Sequence, residues 1–347
     1  MFLAAASLVH TSAIQFLDCT LRDGSYAVDF QFHEEFVVDL LRRLNESSVS
    51  LVEIGHGLGL EAERIGIRAC NIHHVRWSEL AAENLTAKPW GMFAQPEFTQ
   101  LETVSELCAR GMSFLRVGME PDRVGDYLTY LRRAVDTCPQ VYLNLMKSSA
   151  TPVAELPALL SDVPDGLAGV YVVDSYGAML PSDVQTYVSK LAEQFAVVGF
   201  HGHDNLGLAN VNTITALQSG ARVVDGTLNG IGRGSGNASI ESMAGILKLL
   251  GLDIFNYEQL AKLAELCRVN MDVIGEDRTL QVLGGVIGIH SGFFPLVVEL
   301  AAKHNTEPAR LMEAAVSVAA QSPRKADFHT AATILAGQTA QLADSTL

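Results

Sequence analysis

The sequence predicts an α/β fold, a (β/α)8 barrel followed by a small C-terminal helical domain. Three observations carry this reading. Eight short apolar, often β-branched runs recur over the first two-thirds of the 347 residues. Stretches with helical spacing lie between them. From about residue 253 the runs stop and only helical patterns continue.

The runs are, in order, Ile14–Cys19, Leu51–Gly55, Trp90–Ala94, Phe114–Gly118, Val141–Met146, Gly169–Asp174, Ala196–Phe200 and Ala221–Asp225. Near-continuous apolarity is how strands of a parallel sheet buried on both faces look. Between them, Glu34–Leu44 places Phe36, Val37, Leu40, Leu41 and Leu44 on one helical face. Thr99–Arg110, Arg123–Thr137, Ser182–Gln194, Leu206–Ser219 and Ile240–Leu250 alternate with the strands in the same way. The segment between the second and third strands is the least regular. Eight such units in roughly 250 residues match a barrel. An open doubly wound sheet is the competitor, disfavoured because no GxGxxG follows the first strand. The barrel is expected over 1–252. Residues 253–347 are expected to form the helical domain, with helices at Tyr257–Val269, Phe293–His304, Glu307–Ala320 and His329–Leu342. The Gly-rich stretch Leu283–Ser291 reads as a tight segment.

Composition narrows the function classes. Hydrophobic residues at 48% and charged ones at 18% supply a sizeable core. A net charge of −15 argues against nucleic acid and an anionic membrane surface. Five scattered cysteines without a CxxC pair form neither a disulfide framework nor a zinc ribbon, so a reducing compartment is expected. No apolar run reaches the ~18 residues of a membrane span. The apolar N-terminus lacks a basic n-region, which makes a signal peptide unexpected and a cytoplasmic location expected.

A barrel places its chemistry at the C-terminal strand ends. The first strand ends in Asp18-Cys19-Thr20-Leu21-Arg22-Asp23-Gly24-Ser25-Tyr26. Arg22 and Asp23 offer a fixed cation and a hard oxygen ligand there, although a loop salt bridge fits the same pattern. The seventh strand ends in His201-Gly202-His203-Asp204-Asn205. Residues i and i+2 of a strand share a face, so His201 and His203 converge on one point. A packed or solvent-facing pair is the alternative, but the position at the active face favours ligation. Two His and one Asp with open positions suit octahedral Mn, Fe, Co or Mg better than a closed zinc site. Such an ion acts as a Lewis acid on the keto oxygen of a 2-oxo acid. Arg22 can stabilise the charge of the enolate. Ser175 follows the sixth strand and offers a hydroxyl to a substrate carboxylate, or caps a turn. The Gly-rich stretch Gly226–Ala238 could cradle an anion, but it lacks the P-loop Lys-Ser/Thr.

Taken together, Thr20-Leu21-Arg22-Asp23-Gly24, the His201–Asn205 strand end and the Gly230-Ile231-Gly232…Gly236-Asn237-Ala238 loop resemble the pyruvate-carboxylase/lyase-type metallo-TIM barrels. These include hydroxymethylglutaryl-CoA lyase, the isopropylmalate and homocitrate synthases, and 4-hydroxy-2-oxovalerate aldolase. Glu53-Ile54-Gly55-His56-Gly57, Val173–Met179 and the tail around Ala301–Asn305 are similar to the aldolase family. The resemblance spans nearly the whole chain. It implies a class II aldolase that reversibly cleaves a 4-hydroxy-2-oxo acid to pyruvate and an aldehyde. It further implies Asp23, His201 and His203 as ligands of a divalent ion, Mn2+ first, with Mg2+ or Co2+ as alternatives. Arg22 would stabilise the enolate, and Ser175, with Arg22 and His201, would touch the substrate. The family's C-terminal helices dock an acylating aldehyde dehydrogenase, and a homo- or hetero-oligomer is expected.

One departure matters. Family aldolases carry a basic His just after the Arg-Asp-Gly-Ser stretch, where this chain has Tyr26. They place a Tyr from the C-terminal Gly-rich segment in the site, where this chain has His290. His290 is therefore the expected base, alone or with Tyr26, since a His titrates far nearer neutrality than a Tyr. A packed His290 with a metal-bound hydroxide as the base is the alternative. His56 is a lower candidate for the mouth, and the remaining histidines read as solvated. Two other functions compete. A Claisen-type enzyme joining acetyl-CoA to a 2-oxo acid fits the Gly226–Gly232 loop but not the short tail. A non-catalytic scaffold has no need of the complete Arg22, Asp23, His201 and His203 set.

Overall fold

The computed structural model describes residues 14–273, 278–319 and 322–344. The apolar N-terminal stretch with His10, and Ala320, lie outside the described residues. All eight runs are strands: β1 Gln15–Asp18, β2 Leu51–Glu53, β3 Trp90–Ala94, β4 Phe114–Met119, β5 Val141–Leu145, β6 Gly169–Asp174, β7 Val198–Gly202 and β8 Val223–Gly226. They pair in parallel in chain order, and β1 closes on β8 with Phe16 opposite Val224 and Asp18 opposite Gly226.

The strands are predominantly apolar because both faces are buried, and the charged residues they carry are buried too. Leu17, Leu51, Phe114, Tyr142, Tyr171 and Val223 fill the barrel interior. Their neighbours Phe16, Val52, Leu115, Leu143, Val172 and Val224 face the helical layer. That layer comprises α1 Glu34–Glu46, α2 His74–Asn84, α3 Leu101–Ala109, α4 Leu128–Thr137, α5 Leu156–Leu159, α6 Pro181–Ala192, α7 Ala209–Gln218 and α8 Ile240–Leu249. The face predicted for α1 is the face it buries. The irregular segment after β2 contains a 3-10 turn at Ala62–Ile65 before α2.

Among the described residues five helices follow: α9 Tyr257–Asn270, α10 Arg278–Ile287, α11 Phe294–Lys303, α12 Pro308–Val318 and α13 Lys325–Asp344. The Gly-rich stretch 283–291, expected to be a tight connection, is helical as far as Ile287. Close packing explains two adjacent glycines in a helix. A Cβ on Gly284 would meet the Phe294 ring at 2.6 Å, and one on Gly285 would meet the Asn205 Cβ at 3.0 Å. Gly288, at φ 80°, ends the helix and turns the chain towards the barrel mouth.

The apolar cores divide after α9. Leu260, Leu263, Cys267 and Met271 belong to the barrel core, and Phe255 stacks on Phe16 with ring centroids 3.7 Å apart. Leu280, Val297, Leu311 and Phe328 form a separate core under α10–α13. The boundary expected at 252/253 precedes α9; we propose placing it between Met271 and Leu280. Among the described residues no helix is long and apolar enough to cross a membrane.

Candidate active site

A cavity of about 330 Å3 opens at the C-terminal strand ends. Arg22, Asp23, Tyr26, Ser175, His201, His203 and His290 all line it, so these seven candidates reach one space. The potential ligand atoms of Asp23, His201 and His203 lie within 4.8 Å of one another, and all three residues are buried.

The hydrogen bonds orient these groups. His201 Nδ1 lies 2.8 Å from Asp225 Oδ2, and His203 Nδ1 lies 3.3 Å from the Gly236 carbonyl oxygen. Each acceptor draws the ring proton to Nδ1 and leaves the Nε2 lone pair as the ligand. Burial, and then the neighbouring His201, lower the His203 pKa to about 4, so its imidazole is neutral near pH 7. Burial alone would raise the Asp23 carboxyl, but Arg22, the two histidines and the Asn237 amide hold it well below the usual carboxylate range. A charged carboxylate beside two imidazole nitrogens is a donor set that fits a hard or borderline divalent cation. Burial pushes the Cys19 thiol well up and keeps it protonated, so it is a poor ligand despite lying near His201 and Asp225.

Behind this layer lies an ion network not expected from the sequence. Arg22 Nε donates to Glu53 Oε2 at 2.6 Å, and Arg22 Nη1 also pairs with Asp23. Arg116, wholly buried in β4, donates through Nε and Nη2 to both oxygens of Glu53 at 2.7 and 2.6 Å and through Nη1 to Asp225. Burial would raise Glu53, but the two guanidinium groups outweigh it and bring its pKa to about 2. One buried arginine thus ties Arg22, through Glu53, to His201, through Asp225. The sequence carried one signal for it, a charge inside the apolar run Phe114–Gly118. A buried arginine there requires carboxylate partners.

The Gly-rich loop after β8 turns its donors on Asp23 rather than on an external anion. The Arg233 N–H and the Asn237 side-chain amide both donate to Asp23 Oδ1 at 3.0 Å. Gly232 permits this approach, because a Cβ there would collide with Asp23 and Asn237. Ser175 Oγ accepts the Lys147 N–H at 2.8 Å, which leaves its own hydrogen for the cavity.

Tyr26 and His290 face the same space from different elements. The Tyr26 hydroxyl accepts from Arg233 Nη1 at 3.2 Å, and burial outweighs that guanidinium to raise the phenol pKa. His290 precedes the short turn Ser291–Phe293, and its Nδ1 accepts the Gly292 N–H at 3.3 Å. Burial first, and then the Arg233 and Lys147 cations, lower the His290 pKa well below the ordinary value. The ring is neutral near pH 7. His56 does not join the site. Its Nε2 lies 2.9 Å from the Arg68 carbonyl oxygen, its Nδ1 accepts from Leu58 N–H, and it lines a separate small cavity.

The HMGL-like family model matches residues 13–273. A 4-hydroxy-2-oxovalerate aldolase from Spirochaeta aurantia is 32% identical over 85% of this chain and 88% of its own length. An oxaloacetate decarboxylase from Mycobacterium tuberculosis is 35% identical over 68% of this chain and 70% of its own. The carboxyl transferase domain of Rhizobium etli pyruvate carboxylase superposes with a TM-score of 0.76 over 96% of this chain and 62% of that one, at 13% identity. At that identity the likeness speaks for the fold alone.

Proposed function

The chain belongs to the HMGL-like family, and on that premise we propose that it is a divalent-metal-dependent aldolase that interconverts a 4-hydroxy-2-oxo acid with pyruvate and an aldehyde. The observation that carries this reading is the convergence of the Asp23, His201 and His203 ligand atoms in one cavity with Arg22 and a His–Tyr pair. A divalent ion held by these three residues, Mn2+ by preference, supplies Lewis-acid stabilisation of the 2-oxo group and its enolate.

The chain's own groups divide the remaining work. Ser175 donates its hydroxyl hydrogen to the substrate carboxylate. Arg22, fixed by Glu53 and Asp23, faces the oxygen on which charge develops. His290 takes the proton of the 4-hydroxyl at Nδ1. The C3–C4 bond then breaks, its electron pair becomes the enolate of pyruvate, and the aldehyde leaves. Protonation at C3 yields pyruvate. Tyr26, held by Arg233, orients the 4-hydroxyl towards His290.

Decarboxylation of oxaloacetate makes the same enolate by losing CO2 and has no hydroxyl proton to remove. That difference tests the assignment. His290→Ala should lower kcat for aldol cleavage by ~100-fold or more, while oxaloacetate decarboxylation falls by less than ~10-fold. Wild-type aldol rates in His290→Ala would remove the histidine from the role of base. Equal losses in both reactions would make it a structural residue.

A further inference from the structure

Among the described residues, the cavity holds one guanidinium that no carboxylate matches. Arg22 is paired with Glu53 and Asp23. Lys147 Nζ lies 2.7 Å from Glu120 Oε1. Arg233 also lines the cavity but makes no salt bridge among the described residues. Its side chain is held by neutral groups instead. Nε donates to Ser291 Oγ at 3.2 Å, Nη1 donates to the Tyr26 hydroxyl at 3.2 Å, and its Cζ lies 4.8 Å from the Tyr26 ring centroid. Gly292 leaves room for Nη2, where a Cβ would collide with it. Nη2 has no protein acceptor among the described residues.

The position of this group defines what it reads. Ser175 follows β6, His201 lies on β7 with His203 directly after it, and Arg233 and Tyr26 follow β8 and β1. The two histidines at the end of β7 therefore stand between Ser175 and Arg233. A 2-oxo acid with its carboxylate at Ser175 points its C4 end towards Arg233. Arg233 touches Tyr26 and the residue next to His290, the groups that face the 4-hydroxyl. It lies at the aldehyde-derived end of the substrate.

We infer that the aldehyde partner carries its own carboxylate, bound by Arg233, so that the cleaved substrate is a 4-hydroxy-2-oxo dicarboxylic acid. This rests on the pyruvate aldolase reading above and narrows it. The planar fork with Nη2 and one Nη1 hydrogen free matches a carboxylate through two parallel N–H···O bonds. In the synthetic direction C3 of the pyruvate enolate attacks the aldehyde carbon. The new alkoxide takes the proton from His290, and the second carboxylate remains on Arg233 unchanged.

The experiment uses the full chain with Mn2+. Exchange of the pyruvate C3 hydrogens in D2O, read by NMR, reports the enolate without any aldehyde. Carbon–carbon bond formation from pyruvate is then measured with two matched pairs, glyoxylate against 2-methylpropanal and succinic semialdehyde against 4-methylpentanal. We expect kcat/KM for the carboxylate member of at least one pair to exceed that of its neutral match by ~10–100-fold, the range of a charge-assisted pair. Arg233→Met should abolish most of that ratio, and Arg233→Lys should restore part of it. A wild-type ratio near one or below in both pairs overturns the inference. So does an Arg233→Met enzyme that loses both members of a pair equally, which is what mere positioning of Tyr26 produces. Absence of pyruvate exchange overturns the aldolase reading itself, and the inference with it.

Discussion

Arg116→Met tests the ion network directly. The substitution keeps the length of a wholly buried side chain and removes its charge. It deletes two hydrogen bonds to Glu53, one to Asp225 and a guanidinium that lies 4.9 Å from the Tyr171 ring centroid. Breaking a buried ion pair from one side costs about 3–5 kcal/mol. Two carboxylates lose a partner here, but Arg22 still holds Glu53 and His201 still holds Asp225. The expected cost is therefore about 3–5 kcal/mol in total rather than twice that. With a urea slope of ~3 kcal/mol per molar, the unfolding midpoint falls by ~1–1.7 M at pH 7.5. The pH dependence has a definite sign. The Glu53 pKa, brought down to about 2, contributes stability above its unfolded value that is lost as pH falls towards 2. Without Arg116 the folded pKa rises, and protonation relieves the unpaired charge. The gap between wild type and variant is thus widest above pH ~5 and narrows by pH ~4. Urea titrations followed by circular dichroism at both pH values measure it. Because Arg22 and His201 both lose support, kcat should also fall ~10–100-fold. A cost below ~1 kcal/mol, or a gap that does not change with pH, would refute the network as a source of stability.

The same structure makes two further predictions. Burial pushes the Asp18 carboxyl up to about 7 despite its hydrogen bonds from Thr20. A pKa raised on folding means that stability present near pH 4 is lost as pH rises to 7 and beyond, by up to about 4 kcal/mol. Asp18→Asn should flatten that decline in urea titrations between pH 4.5 and 8, and an unchanged decline would exclude Asp18 as its source. Added Mn2+ should raise the thermal midpoint of wild type, since saturation at ~100 times Kd is worth about 2.7 kcal/mol. His203→Ala should abolish the shift, and a shift of equal size in that variant would place the ion elsewhere.

The strands were legible because burial on both faces keeps most of their positions apolar, as in Leu143 and Tyr142 on opposite sides of β5. His201 and His203 were legible because a strand's period of two fixes their common direction whatever the rest of the fold does. The network behind them was not, since its members lie far apart in sequence. Glu53 and Arg116 are separated by 63 residues, Arg116 and Asp225 by 109, and Asp23 and Asn237 by 214. No local pattern records such pairings; only barrel closure brings them together. Gly284 and Gly285 misled for the opposite reason, because their local propensity is overridden by what packs against them. The overall charge of −15 was the least informative number. The cavity is lined by Arg22, Lys147 and Arg233 against Asp23 and Glu120, three cations to two carboxylates on a chain with a large acidic excess. An anionic substrate meets that local field, strengthened by low dielectric walls, rather than the screened average of the surface.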